Sequence, residues 1–145
     1  MCGEHKRART RDERGAAAVE FALVSVLLLM LLFGIIQASV YFWSYQTGAN
    51  AAREGARRYA VAPCGAEAAN DQKVKDFVGG AASGTIAVSH SFVKSSGNTG
   101  AGRETGDQVT VIVTYSAPSI GGFLPAFPAV TKKASARVED VQDCS

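Results

Sequence analysis

The chain has 145 residues, of which 47% are apolar and 19% charged, with a formal net charge of +2; this length allows one small domain plus an anchor. The charge does not mark a nucleic-acid binder. Five basic and three acidic residues precede Gly15, so the whole excess lies in the first fourteen residues, and the rest carries ten charges of each sign.

The tail holds Lys6, Arg7, Arg9, Arg11 and Arg14 against Glu4, Asp12 and Glu13. A short basic segment ahead of an apolar run reads as a topology or targeting signal, so residues 1–15 are expected to be a cytoplasmic leader. From Phe21 to Gln46 no residue is charged. That stretch exceeds the roughly 20 residues that span a hydrocarbon core. Tyr41, Phe42, Trp43 and Tyr45 cluster at its far end, where an aromatic belt belongs. The positive-inside rule puts the N-terminus in the cytoplasm and the remainder outside it, although Arg53, Arg57 and Arg58 beyond the span weaken the contrast. The alternative is a secretory signal peptide cut after Ala38, but its apolar core normally runs only 7–15 residues.

Glu20 stands at the mouth of this run. A carboxylate at the centre of a membrane helix costs about 2.5–3.5 kcal/mol, and less near the interface. Glu20 is therefore either a shallow charge near the positive helix N-terminus or a residue with a partner. On a helix, Ala16 lies one turn before it, about 6 Å along the axis and on the same face.

The helical pattern continues through "QTGANAAREGARRYAVAP". Gly48, Ala52, Ala56 and Ala60 fall at i, i+4 intervals and form one smooth stripe for close packing. That stripe either docks on the chain's own domain or meets a helix of another subunit. Glu54 and Arg58 make a favourable i, i+4 pair. Pro63 stops the helix, because the residue before proline avoids the α region. One helix over 16–62, roughly 70 Å long, is expected to span the membrane to about residue 45 and then project into water.

Residues 63–145 read as a small extracytoplasmic domain. Gly65 to Val78 has the pattern of an amphipathic helix with Ala66, Ala69, Val74, Phe77 and Val78 on its apolar side, ended by Gly79 and Gly80. Three alternating segments follow: Ile86, Val88, His90 and Phe92; then Val109, Val111, Val113 and Tyr115; then Val130, Ala134, Ala136 and Val138. They predict an antiparallel three-stranded meander packed on the small-residue half of the long helix, an α+β arrangement. The connection "KSSGNTGAGRETGD" is polar and glycine-rich. The other, "SAPSIGGFLPAFPA", carries Phe123, Leu124 and Phe127, which either fold back as a lid on the core or meet a partner or membrane surface. Cys64 and Cys144 both fall outside the cytoplasm, where disulfides persist. A bridge between them closes a loop of about 80 residues, worth roughly 4–5 kcal/mol in the chain-entropy account; two free thiols are the alternative. Cys2 stands apart from them in the tail.

Catalytic equipment is scarce. His90 has no nucleophile motif around it, and the cysteines and histidines lack metal-ligand spacing. "GAGRETG" precedes a strand and has no G-K-[ST], unlike a phosphate loop. Neither an enzyme nor a cofactor or metal is expected.

"RGAAAVEFALV" with the Leu-rich helix after it, "NAAREGARRYA" and the late "ASARVE" resemble the TadE-like family of tight-adherence pilus systems. The resemblance implies a pilin-like fold and a minor pseudopilin role in pilus assembly. It also implies cleavage by a prepilin peptidase after Gly15, with Ala16 as the new N-terminus and Glu20 as its fifth residue. The implied partners are that peptidase, other pilins and pseudopilins, the assembly platform and the inner-membrane bilayer. The amine freed at Ala16 then supplies a partner for Glu20, in its own chain or a neighbour's. An uncleaved single-pass envelope anchor or scaffold and a secreted binding module remain as the competing readings.

Overall fold

The computed structural model describes residues 10–63, 65–100, 102–120 and 127–139, with side chains from Gly15 onward. The candidate bridge Cys64–Cys144, Cys2, the tail before Thr10, and Phe123 and Leu124 lie outside the described residues.

Helix α1 runs unbroken from Thr10 to Val61. It contains no proline, and the good helix formers Ala, Leu and Arg recur along it. It starts six residues ahead of the Ala16 expected from the sequence. The chain divides into two compact units between Gln37 and Ala38. In the first, apolar side chains point outward on every side of the helix, including Phe21, Leu23, Leu27, Leu28, Met30 and Leu31. A helix whose most apolar stretch is exposed all round fits a single-pass membrane anchor.

The second unit is the α+β domain. After α1 come α2 (Glu67–Val78), a 3-10 turn at Gly79–Ala81, and strands β1 (Ser83–Val93), β2 (Gln108–Ser116) and β3 (Val130–Arg137). The sheet is an antiparallel meander in the order β1-β2-β3. Register places Phe92, Val109 and Ala136 in one inward row and His90, Val111 and Ala134 in the next. The third row joins Val88, Val113 and Lys132. The period-two pattern therefore holds, with Lys132 as a cationic member of the inward face.

The core forms where β2 lies on α1. Ala51, Ala52, Ala56, Tyr59 and Ala60 of the helix pack with Val109, Val111, Val113, Tyr115 and Val130 of the sheet and Val74 and Val78 of α2. Close approach depends on two glycines. A Cβ at Gly48 would stand 2.7 Å from the Tyr115 hydroxyl, and one at Gly55 would stand 3.0 Å from Val74 Cγ2 and 3.2 Å from Val111 Cγ1. Tyr115 fills the space over Gly48 and donates its hydroxyl hydrogen bond to the Ser44 carbonyl. Burial raises its pKa, and the backbone contact at Gly48 offsets part of that rise.

Helix α2 keeps Val74 and Val78 of its expected face inward and departs from it elsewhere. Ala69 and Phe77 are exposed, whereas Asn70, Val74 and Val78 face the core. A strict four-residue spacing is the stripe a short helix can lay on a flat sheet, and Phe77 falls off it.

Replacing Gly55 by Leu is expected to lower domain stability by about 1–3 kcal/mol through overpacking. Gly34, where a Cβ meets nothing within 4 Å, is the control. Denaturant unfolding of the full chain in detergent checks this; an unchanged midpoint for Gly55→Leu would contradict the close approach.

Candidate functional site

Gly15, Ala16 and Glu20 all lie on the exposed surface of α1. Ala16 and Glu20 are one helical turn apart, so a cationic group at Ala16 would share a face with the carboxylate. No ion pair with Glu20 occurs among the described residues. A Cβ at Gly15 meets nothing within 4 Å. Packing among the described residues therefore places no demand for glycine at that position.

The stripe of Gly48, Ala52, Ala56 and Ala60 is buried. Ala52 and Ala56 are 0% and 1% exposed, and their neighbours are the chain's own sheet residues. The covered stripe has no surface left for a helix of a second subunit. The outward face of the same stretch carries the Glu54 carboxylate between two guanidiniums, with Arg58 Nε at 2.8 Å and Arg57 Nε at 3.1 Å. The hydrogen bonds and charge of Arg57, then the charge of Arg58, hold Glu54 below its ordinary value despite an opposing desolvation.

Where α1 ends, its carbonyls need donors. The Arg103 guanidinium donates to the carbonyls of Tyr59 and Ala62, and the Glu139 N–H donates to the Ala60 carbonyl at 3.1 Å. Arg103 also lies over the Phe92 ring, 5.3 Å from its centre. The glycine-rich 94–107 connection thus closes the helix end. It is held together by Asp107, which is 1% exposed. Burial alone would raise that carboxyl. Hydrogen bonds from the Ser95 and Glu104 N–H groups and the Asn98 amide, with the Lys94 ammonium at 3.1 Å, pull it well below the usual carboxylate range instead.

His90 stacks on Tyr59 with ring centres 4.4 Å apart, and its Nδ1 lies 3.8 Å from Asp71 Oδ1. The Tyr59 hydroxyl donates to the same Asp71 oxygen at 2.6 Å. Burial, then the Asp71 hydrogen bond and the charges of Asp71 and Glu67, raise the Tyr59 pKa, so the phenol stays protonated. The imidazole therefore serves as a wall of the core, and no Ser, Thr or Cys nucleophile is bonded to it among the described residues. Among the described residues no group of three or more His, Cys, Asp or Glu side chains is arranged to hold a metal ion.

The structural residues that single-sequence reading misses are Asp107, Arg103, Tyr59 and Lys132. Arg103, Tyr59 and Lys132 act through partners on other elements, whereas Asp107 gathers its own connection. Only the "GD" ending of the connection, a turn-and-cap dipeptide, offers a local signal for Asp107.

Compared with known proteins, residues 15–57 match the family model described as TadE-like protein, the family that "RGAAAVEFALV" and "NAAREGARRYA" resemble. The match begins at Gly15 and covers both the apolar run and most of the small-residue half of α1. No curated protein and no solved structure is significantly similar to the chain.

Because the folded pKa of Asp107 is depressed, the unfolded chain takes up that proton at a higher pH than the folded one. Its stabilisation is complete above the ordinary carboxylate range and is lost as pH falls toward the depressed value. Asp107→Asn is expected to lower the unfolding midpoint at neutral pH and to flatten its decline between about pH 5 and pH 3. Thermal unfolding across that range checks this, and parallel acid limbs for the two proteins would count against it.

Proposed function

We propose that this chain, TadE-like from Gly15 to Arg57, is a minor pilin-like membrane component of a tight-adherence pilus assembly machine. Its role in this reading is structural rather than enzymatic. A prepilin peptidase removes residues 1–15, and the mature chain is held in the inner membrane by α1, N-terminus toward the cytoplasm and the α+β domain outside. Its partners are other pilins and pseudopilins and the assembly platform, and it requires neither a cofactor nor nucleic acid.

The observation that carries the reading is the placement of Gly15, Ala16 and Glu20 on one accessible helix that continues as an uncovered apolar run. The family match spanning that same segment supports it. Cleavage after Gly15 would turn the Ala16 nitrogen into an ammonium one turn from Glu20. That charge offsets the cost of a carboxylate at the membrane boundary, within one chain or between neighbours. With the small-residue stripe occupied by the chain's own sheet, the helix bundle of an assembly would form through the apolar run, and the Ala16–Glu20 pair would supply the polar contact that sets register between subunits.

Intact mass of the membrane-extracted protein separates this reading from its competitors. Loss of residues 1–15 is expected. A full-length chain in cells with an active prepilin peptidase points to the uncleaved anchor, and an N-terminus near Ser39 points to a secreted module. Because open space surrounds a Cβ at Gly15, Gly15→Leu should leave the fold intact while blocking processing. Glu20→Ala should insert and be cut normally but reduce pilus yield. Unchanged yield would rule out the pairing role of Glu20.

A further inference from the structure

We infer that the foot of the α+β domain, made by the Tyr41–Tyr45 segment of α1 and the β2–β3 connection at Phe127, seats in the interfacial layer of a lipid bilayer. Phe127 would then be a second membrane contact beside the helix.

The first observation is the distribution of aromatic rings around α1. At about 100° per residue, Tyr41 and Tyr45 fall on one side, Phe42 about a quarter-turn on, and Trp43 roughly opposite. Phe42, Trp43 and Tyr45 are 64%, 52% and 42% exposed. Tyr41 packs on the domain core and Trp43 lies beside Gly80, yet Phe42, Trp43 and Tyr45 stay exposed on different sides of the helix; a single partner helix needs one stripe, so rings exposed on several sides match a lipid surface better. The second observation is the connection. Phe127, far from α1 in sequence, is 41% exposed, and its ring stacks on Tyr41 with centres 4.5 Å apart and planes 23° apart. It thus extends the helix's aromatic collar outward at the level of Tyr41. The third is polar. Lys132, on the inward face of β3, places its ammonium over the Tyr45 ring, and its stem passes beside Gly48. An apolar stem with a cation at the edge of an aromatic layer is how lysine meets a headgroup region. Tyrosine and tryptophan, apolar in body and polar at the tip, prefer that same layer. The collar also follows the uncharged run from Phe21 without interruption in the chain.

This inference rests on α1 entering a membrane, not on any pilus role. Its test keeps the two apart by using the full chain in phosphatidylcholine–phosphatidylglycerol vesicles carrying a nitroxide either near the headgroup or near the end of the acyl chain. Trp43 is the single tryptophan, so the unsubstituted chain reports the helix. The double variant Trp43→Phe, Phe127→Trp reports the connection and keeps a ring that can stack on Tyr41. Both are expected to show blue-shifted emission and a larger intensity loss with the shallow label than with the deep one. If Trp43 is quenched but the new tryptophan emits as in water, the seating of the connection is overturned while the anchor stands. Emission shielded from water yet unaffected by either lipid label means that a second protein surface covers Phe127, which also overturns it. If Trp43 itself is unquenched, anchor and inference fail together. Photolabelling of the unsubstituted chain by a lipid with a headgroup-proximal diazirine, read by peptide mass spectrometry, repeats the test without a substitution. Adducts at Phe127 are expected, and their absence alongside adducts at Trp43 overturns the inference.

Discussion

The approach of β2 to α1 is the contact on which the folded domain depends. Two glycines, Gly48 and Gly55, leave no Cβ between helix and sheet, and Ala51, Ala52 and Ala56 keep the rest of the surface low. The valines of β2 then reach the helix backbone, and the Tyr115 phenol reaches through to the Ser44 carbonyl. Such a contact gains dispersion from many close atom pairs but buries little side-chain volume. Hydrogen bonds at the periphery add to it. Arg103 and Glu139 close the carbonyl end of α1, and Asp107 gathers the connection that delivers Arg103.

The composition of α1 changes between the two units, as fits a membrane anchor that continues into a domain. Leucine, valine and methionine face outward on all sides through the first unit; glycine and alanine turn inward in the second, while Glu54, Arg57 and Arg58 take the outer face. Lipid requires bulk and no polarity around the whole circumference. A sheet requires a flat strip on one side only. The aromatic residues between Tyr41 and Tyr45 occupy the change-over, where rings tolerate both media.

This division fixes the role of the small-residue stripe. A small-residue stripe on a helix suits close packing against another helix, but its near-zero exposure assigns it to the domain's own core. The glycine-rich connection is similarly reassigned. Its resemblance to a phosphate loop ends at glycine content, and its charged residues spend themselves on the helix end and on one another, with Lys94 bridging Glu104 and Asp107.

The sequence by itself determined the order and type of elements. Period-two alternation marks Val109 to Tyr115 as a half-buried strand because neighbouring side chains on a strand must face opposite ways, and a long uncharged run is legible because water and hydrocarbon sort residues without help from the fold. The Gly15–Ala16–Glu20 spacing is legible for a related reason, since one helical turn is local geometry. Only the tertiary structure decided which face of α2 packs, that Lys132 lies inward over Tyr45, that Phe127 stacks on Tyr41, and that Arg103 closes a helix more than forty residues before it. Those outcomes depend on partners brought together by folding, so no window of sequence contains both halves of the interaction.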